Sequence, residues 1–482
     1  MKSKDLFSYP APRQYVDGQW RVGGAGAVGV VTNPANDVVL AEIHGASRQD
    51  LNDALAGAER AFGGWSSTSA HQRGAVLRRA AQLLRERADS IALLMTLEQG
   101  KTLAESRMEV ELSAETFEWY AAEGLRANGR VMPSRVRGAR QMVLPQPLGP
   151  VAAFTPWNFP ALLPARKIAP ALAAGCTMVM KPAEETPASA LALVEALADA
   201  GLPAGVLSMV LGVPRDISEL LIASPIIRKI TFTGSTGVGR ALARLAAEAP
   251  KPCTLELGGH APVLIFDDAD LDRTVATCVQ GKTRNTGQVC TSPTRFLVQR
   301  GIHDRFVAAY AQALDALKVG DGTDASSQMG PLANRRRLSA MEELVADAVS
   351  AGARVAAGGQ RCADHGNFFR PTLLADVPSN ARAMQVEPFG PLALVSTFET
   401  LEEGLTRANQ SPYGLAAYAF TRSAETALTV AEGLHAGGIG INSFAVSHIE
   451  APFGGLKDSG YGLEGGSEGL EAYMHQKYVH HA

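Results

Sequence analysis

The chain has 482 residues, 46% apolar and 19% charged, with a formal net charge of −3. That length exceeds one ordinary core and calls for two or three packed units, and the composition excludes a disordered or low-complexity chain. Lys and Arg are scattered, so nothing favours nucleic acid or a membrane surface, and no signal-like start or apolar run of about eighteen residues occurs; the chain reads as cytoplasmic, its partners small molecules and other subunits.

Near the N-terminus "GAGAVG", Gly24 to Gly29, matches the GxGxxG pattern of dinucleotide sites. That pattern needs a strand before it and a helix after it; the flanking "YVDGQW" and "VVTNPAND" predict a hairpin with a Gly-rich turn instead. From Ser47 to about Asn128 apolar residues recur at helical spacing, Val76, Leu77, Ala80, Leu83 and Leu84 among them, as do Ile91, Leu94 and Met95.

From "QMVLPQPLG" onward strands alternate with helices. Strands are predicted at 151–156, 176–182, 206–212, 229–234 and 253–259, with Ala/Leu-rich helical stretches such as "ASALALVEALADAG" and "GRALARLAAEA" between them. This spacing predicts an α/β fold with a doubly wound parallel sheet. In such sheets ligands bind beyond the carboxyl ends of the strands. Trp157 and Asn158 follow the first strand, Lys181 and Glu184 the second, Gly234 and Ser235 the fourth, and Glu256 ends the fifth. The helix opened by "GSTGVGR" offers free N–H groups and a dipole suited to a pyrophosphate. Taken singly, Lys181 and Glu184 fit a solvated turn, and Glu256 a surface carboxylate, equally well.

A second α/β unit follows about Gly258, with strands in "TRFLVQ", "FFRPTLLADV", "PLALVSTF" and "LAAYAFT" and helices in "IHDRFVAAYAQALDALK" and "RRRLSAMEELVADAVSAG". "GGSEG", Gly465 to Gly469, matches the GxSxG nucleophile elbow but lacks the preceding strand and the following acid and histidine. Five scattered cysteines (176, 253, 278, 290 and 362) show no CxxC or Cys/His pair, so neither a disulfide framework nor a metal site is expected. Cys290, in "KTRNTGQVCTSPTRF", reads by itself as a buried core thiol; facing the groups above across an interdomain cleft, it reads as a nucleophile.

"TPWNFP", "KPAEETP", "FTGSTGVG", "LELGGHAP", "GQVCTS", "EPFGP" and "PFGGLKDSG" together resemble the aldehyde dehydrogenase superfamily over essentially the whole chain. The resemblance implies a nucleotide-binding domain of residues 1–130 and 148–257, a catalytic domain of residues 258–455, and oligomerisation strands in 131–147 and 456–482 that build a homodimer or homotetramer. It implies that Cys290 attacks an aldehyde carbon to give a thiohemiacetal and then a thioester, that Asn158 and the Cys290 N–H hold the oxyanion, and that Glu256 activates the hydrolytic water. The glutamate favours a free acid over acyl transfer to coenzyme A.

For the cofactor the resemblance implies NAD, with NADP possible. Lys181 and Glu184 would hold the adenine ribose, Ser235 the pyrophosphate, and Glu387 with Phe389 the nicotinamide ribose; Thr155, Trp157 and Gly234 would line the site. His260 departs from the lysine common in the family. Within the superfamily the chain is similar to succinate-semialdehyde dehydrogenases, with Arg166, Arg284 and Ser447 where that branch binds the distal carboxylate and Ser292 in place of its frequent second cysteine. Other semialdehydes, aromatic or aliphatic aldehydes, and a thiol-dependent esterase are the alternatives, and each arginine fits a structural salt bridge equally well.

Overall fold

A computed structural model describes residues 9–482. Residues 1–8, which open the segment assigned above to the nucleotide-binding domain, lie outside it. The N-terminal glycines correct one expectation. Two hairpins form, not one: Gln14–Val16 pairs with Gln19–Arg21, and Ala27–Thr32 pairs with Val39–His44. "GAGAVG" joins the two hairpins and enters the third strand, because the tight turn of the first falls at Asp17 and Gly18, both at positive φ. No helix follows it until Arg48.

The next segment is helical, as its periodicity predicts. Helices Arg48–Ser67, Ala70–Glu86 and Leu103–Glu123 each begin with a capping box, Ser47 with Asp50, Ser69 with Gln72 and Thr102 with Glu105. Between them, helix Ala88–Gln99 is stopped by Gly100 at φ +98°.

Five strands, Val151–Phe154, Met178–Lys181, Leu207–Met209, Lys229–Thr233 and Cys253–Glu256, run parallel in the spatial order third, second, first, fourth, fifth. Both faces are covered, so each strand is a continuous apolar run whose alternate residues enter different cores. Val151 and Ala153 join the cluster under helices Ala70–Glu86 and Leu162–Ala174, while Ala152 and Phe154 join that of Leu51, Ile217 and Leu242. The strand order reverses between the first and fourth strands, which opens a crevice beyond their carboxyl ends. The sheet is extended to eight strands by the Gln14–Arg21 hairpin at one edge and by Gly460–Tyr461 at the other.

The second unit is a seven-stranded sheet in the order Arg354–Ala357, Thr372–Ala375, Leu392–Phe398, Pro293–Gln299, Ala261–Ile265, Ala416–Phe420 and Gly438–Ile441, parallel except for the first pair. The sequence reading missed three of these strands. Ala261–Ile265 is central and buried, but it follows Cys253–Glu256 so closely that the two apolar runs read as one; Arg354–Ala357 and Gly438–Ile441 are short. A third sheet sets Arg140–Pro147 between Arg130–Met132 and Met474–His481. Of the C-terminal stretch 456–482, therefore, only its last strand joins this sheet.

Candidate functional site

The crevice continues as a trench between the two large sheets. A cavity of about 450 Å³ is walled by Pro156, Trp157, Asn158, Gly234, Ser235, Gly258, Cys290, Glu387 and Phe389, and by Arg336 and Arg337 of helix Arg335–Ser350. A larger one of about 970 Å³ shares Pro156, Trp157, Thr233, Gly234 and Arg336 with it and runs out to Thr155, Lys181 and Glu184. The eight residues singled out from sequence for a cofactor, drawn from three strand ends and a distant loop, thus face one continuous trench.

Its chemistry grades along its length. At the outer end Lys181 Nζ lies 2.8 Å from Glu184 Oε2. In the middle Ser235 stands at the N-cap of helix Thr236–Ala247 and makes no side-chain cap bond, so its hydroxyl and the first-turn N–H groups are available to an anion. Thr155 Oγ1 and Thr233 Oγ1 are buried in the trench wall without a hydrogen-bond partner. At the inner end the Phe389 ring meets Trp157 edge-on at 5.5 Å, and Glu387 Oε1 accepts from the Gly259 N–H at 3.0 Å. Burial pushes the Glu387 carboxyl up to about 7. The orphaned hydroxyls, the open helix start and the glycine passage at Gly234 fit an elongated polar ligand with a central anion, which is the shape of a dinucleotide.

Cys290 sits where the trench ends. It follows a tight turn, Arg284–Gly287, in which Asn285, Thr286 and Gly287 take φ of +48°, +56° and +71° in succession. Side chains lock this conformation. Asn285 donates to the Asn158 carbonyl at 2.7 Å and accepts from Gln99 at 2.9 Å, and Thr286 Oγ1 donates to the Gly330 carbonyl at 3.0 Å. Asn158 donates one amide hydrogen to the Gln288 carbonyl at 3.1 Å, leaving the other without a partner among the described residues, and it lines the same cavity as Cys290. Burial pushes the thiol up to about 12, with Glu387 and Glu256 adding repulsion and Arg166 opposing it.

Glu256 does not line the trench. Its side chain is buried, and neither oxygen has a hydrogen-bond partner among the described residues. Burial and the negative Glu464 hold its carboxyl well above the ordinary range, against Lys167 and Arg166. Lys167 and Glu464 form an ion pair in the core, joined by Thr231. Neither was singled out from the sequence, since the two lie 297 residues apart and no local pattern pairs them.

The three residues read as substrate contacts divide. Arg166 is 5% exposed; its Nη2 donates to the Ser447 carbonyl, its guanidinium lies 5.4 Å from the Phe453 ring, and its Nε has no partner. Among the described residues no carboxylate lies within salt-bridge distance of it. Arg284 is exposed, stacks on Phe159 at 5.2 Å and lines a separate cavity of about 340 Å³ with Lys101, Glu105 and Gln280. Arg166 and Ser447 are thus together, and Arg284 stands apart from them. His260 does not face the trench: it is buried, with Nδ1 2.8 Å from Thr294 Oγ1, and burial holds its imidazole well below the usual range.

The family described as "Aldehyde dehydrogenase family" matches residues 21–479. The chain is 50% identical over 473 residues to the 4-(hydroxymethyl)benzenesulfonate dehydrogenase TsaD1 of Comamonas testosteroni, covering 98% of each. It is 44% identical over 464 residues to the succinate-semialdehyde dehydrogenase [NADP(+)] GabD of Escherichia coli, covering 96% of each. A crystal structure of an E. coli NADP-dependent enzyme superposes with a TM-score of 0.96 at 43% identity over 99% of both chains.

Proposed function

Because this chain belongs to the aldehyde dehydrogenase family, we propose that its site oxidises an aldehyde whose far end carries an anion, with succinate semialdehyde the leading candidate. The coarser activity is that of the family, NAD(P)-dependent oxidation of an aldehyde. One observation carries the finer reading: among the described residues Arg166 is a buried guanidinium with no carboxylate in salt-bridge reach and an unused Nε, close enough to Cys290 and Glu256 to act on both electrostatically. A buried cation without a counter-ion is costly, and a ligand carboxylate or sulfonate supplies one with forked geometry. The two curated relatives named above support it, since a sulfonate and a semialdehyde of succinate both carry such an anion.

In the proposed mechanism the Cys290 thiol gives up its proton to water in the cavity as its sulfur attacks the aldehyde carbon, and the free Asn158 N–H receives the developing oxyanion. One such donor is worth about 3 kcal/mol. Trp157, Ser235, Glu387 and Phe389 hold NAD(P), which when bound supplies the hydride acceptor. Glu256, a stronger base because its carboxyl is pushed up, takes a proton from water, and the water cleaves the acyl–Cys290 bond to release the acid. An esterase would need no such trench.

Glu184 beside Lys181 accepts readily from a ribose hydroxyl and repels a 2′-phosphate, which supports NAD over NADP. The five unpaired cysteines suit a reducing, cytoplasmic setting. In the third sheet the exposed Val131 and Leu144 share one face with Met142 and Val479, an apolar face that supports a homodimer or homotetramer; light scattering giving a monomer mass would remove that reading.

The substrate assignment is tested with a panel of succinate semialdehyde, 4-sulfobenzaldehyde, benzaldehyde and butanal. Arg166→Met should raise KM for the two anionic aldehydes at least tenfold more than for the neutral ones, equivalent to about 1.4 kcal/mol of selective binding. Equal effects on both classes would refute it. The same comparison for Arg284→Ala shows whether the second arginine shares the anion.

A further inference from the structure

The geometry points to Lys101 and Asn285 as a paired clamp on the Asn158 backbone, and we propose that they are positioning residues that set the angle of the oxyanion donor. This rests on the reading of Asn158 as that donor.

The Asn158 carbonyl accepts two hydrogen bonds from side chains remote in sequence, Lys101 Nζ at 2.8 Å and Asn285 Nδ2 at 2.7 Å. Lys101 is 1% exposed and reaches this carbonyl from the loop between helices Ala88–Gln99 and Leu103–Glu123, with its ammonium 4.2 Å from the Phe159 ring. Its counter-ion is Glu109, equally buried, whose other oxygen accepts from the N–H groups of Ala161 at 2.9 Å and Leu162 at 3.1 Å. One ion pair therefore grips the backbone on both sides of the Asn158–Pro160 bend.

Asn285 closes the other side. Its amide bonds the same carbonyl, its own N–H donates to Glu105 Oε1 at 2.6 Å, and Gln99 holds its side-chain oxygen. Asn285 lies five residues before Cys290, so the clamp joins the loop of the oxyanion donor to the loop of the nucleophile through one carbonyl oxygen. A fully buried lysine is expensive to desolvate; here its cost maintains a geometry on which the transition state depends, because donors help only where the oxyanion forms and a shift of about 1 Å can cost about a hundredfold in rate.

The test uses Lys101→Met, and Lys101→Met/Glu109→Gln in case the single change leaves Glu109 buried, charged and the protein unfolded. Asn285→Gly is the third variant, which removes the amide while keeping a residue at ease with positive φ. Four quantities are read: kcat and KM for the aldehyde turned over best in the panel above, Ki for the trifluoromethyl ketone built on the same carbon chain, the rate of Cys290 alkylation by iodoacetamide, and the Kd of the preferred coenzyme. The inference expects kcat to fall tenfold to about a hundredfold and the ketone to bind correspondingly more weakly, while KM, alkylation rate and coenzyme Kd stay within about twofold. Alkylation forms no oxyanion, so a general loosening of the site would slow it in parallel with kcat, and that result overturns the inference. Asn158→Ala separates the two layers. If it loses kcat and ketone affinity while the clamp variants keep both, only the clamp falls. If it loses neither, the oxyanion reading falls first.

Discussion

At residue scale the site is held by conformations that cost energy by themselves. Asn285 and Thr286 both occupy the left-handed region, where a non-glycine residue typically costs about 1–3 kcal/mol and persists only if its surroundings over-determine it. Bonds to Gln99, Asn158, Glu105 and Gly330 do that here, and a Cβ on Gly287 would stand 2.1 Å from the Gly390 carbonyl oxygen. The turn is thereby fixed before any ligand binds. In the proposed mechanism Glu256 carries the pH dependence of this rigid site. Its carboxyl is raised, so the base form is scarce below its folded pKa and increases as pH rises through it; kcat should climb along a limb well above the ordinary carboxylate range. Glu256→Gln should remove that limb and lower kcat by about 10²–10⁴, while rapid mixing still shows one NAD(P)H formed per site before turnover stalls. Loss of the burst together with kcat would place Glu256 in the first half-reaction instead. Cys290, Asn158 and Glu256 were all legible as motif residues. The strained turn was not, because "RNTG" contains nothing that distinguishes three left-handed residues from an ordinary loop.

At the scale of elements, the buried ion pair between Lys167 of helix Leu162–Ala174 and Glu464 of the C-terminal segment joins pieces of chain almost 300 residues apart. Strand Lys229–Thr233 contributes Thr231 to the same contact. Glu464→Gln would remove the ion-pair partner of Lys167 in the core, a loss of about 3–5 kcal/mol measurable by chemical denaturation. It would also remove the negative charge that helps hold Glu256 up, so the limb of the pH profile should move to lower pH. A limb that stays in place or moves to higher pH would mean that Glu464 does not act on Glu256. Most of the helices and strands were legible, since their periodicities and apolar runs are local. Strand Ala261–Ile265 escaped because only pairing with two distant strands separates it from the run before it.

At the scale of the whole molecule the trench exists because two sheets face each other. The chain ties them together twice: it crosses after Cys253–Glu256 and returns to pair Gly460 with Glu256. Coenzyme binding should therefore stabilise the molecule as a unit. At a concentration a hundred times its Kd, NAD should add about 2.7 kcal/mol to the unfolding free energy. NADP at the same concentration should add less, and Glu184→Gln should narrow the gap. Equal stabilisation of the unaltered protein by the two would remove the preference for NAD. Arg336, whose Nη2 lies 2.7 Å from Glu185 Oε1 across the trench, ties the second unit to the first beside the same site.

By itself the sequence determined the parallel sheet, and it singled out the thiol, amide and carboxylate of the proposed mechanism and the strand ends proposed to meet the cofactor. Each of these is written in a short stretch of chain, as a period, a glycine or a motif. Only the tertiary structure decided that Arg166 is buried with no carboxylate in salt-bridge reach among the described residues while Arg284 is exposed, that Lys101 and Asn285 meet on one carbonyl, and that Glu256 is buried with its carboxyl raised. Desolvation and pairing depend on which distant residues fill the surrounding volume, and no local pattern records that.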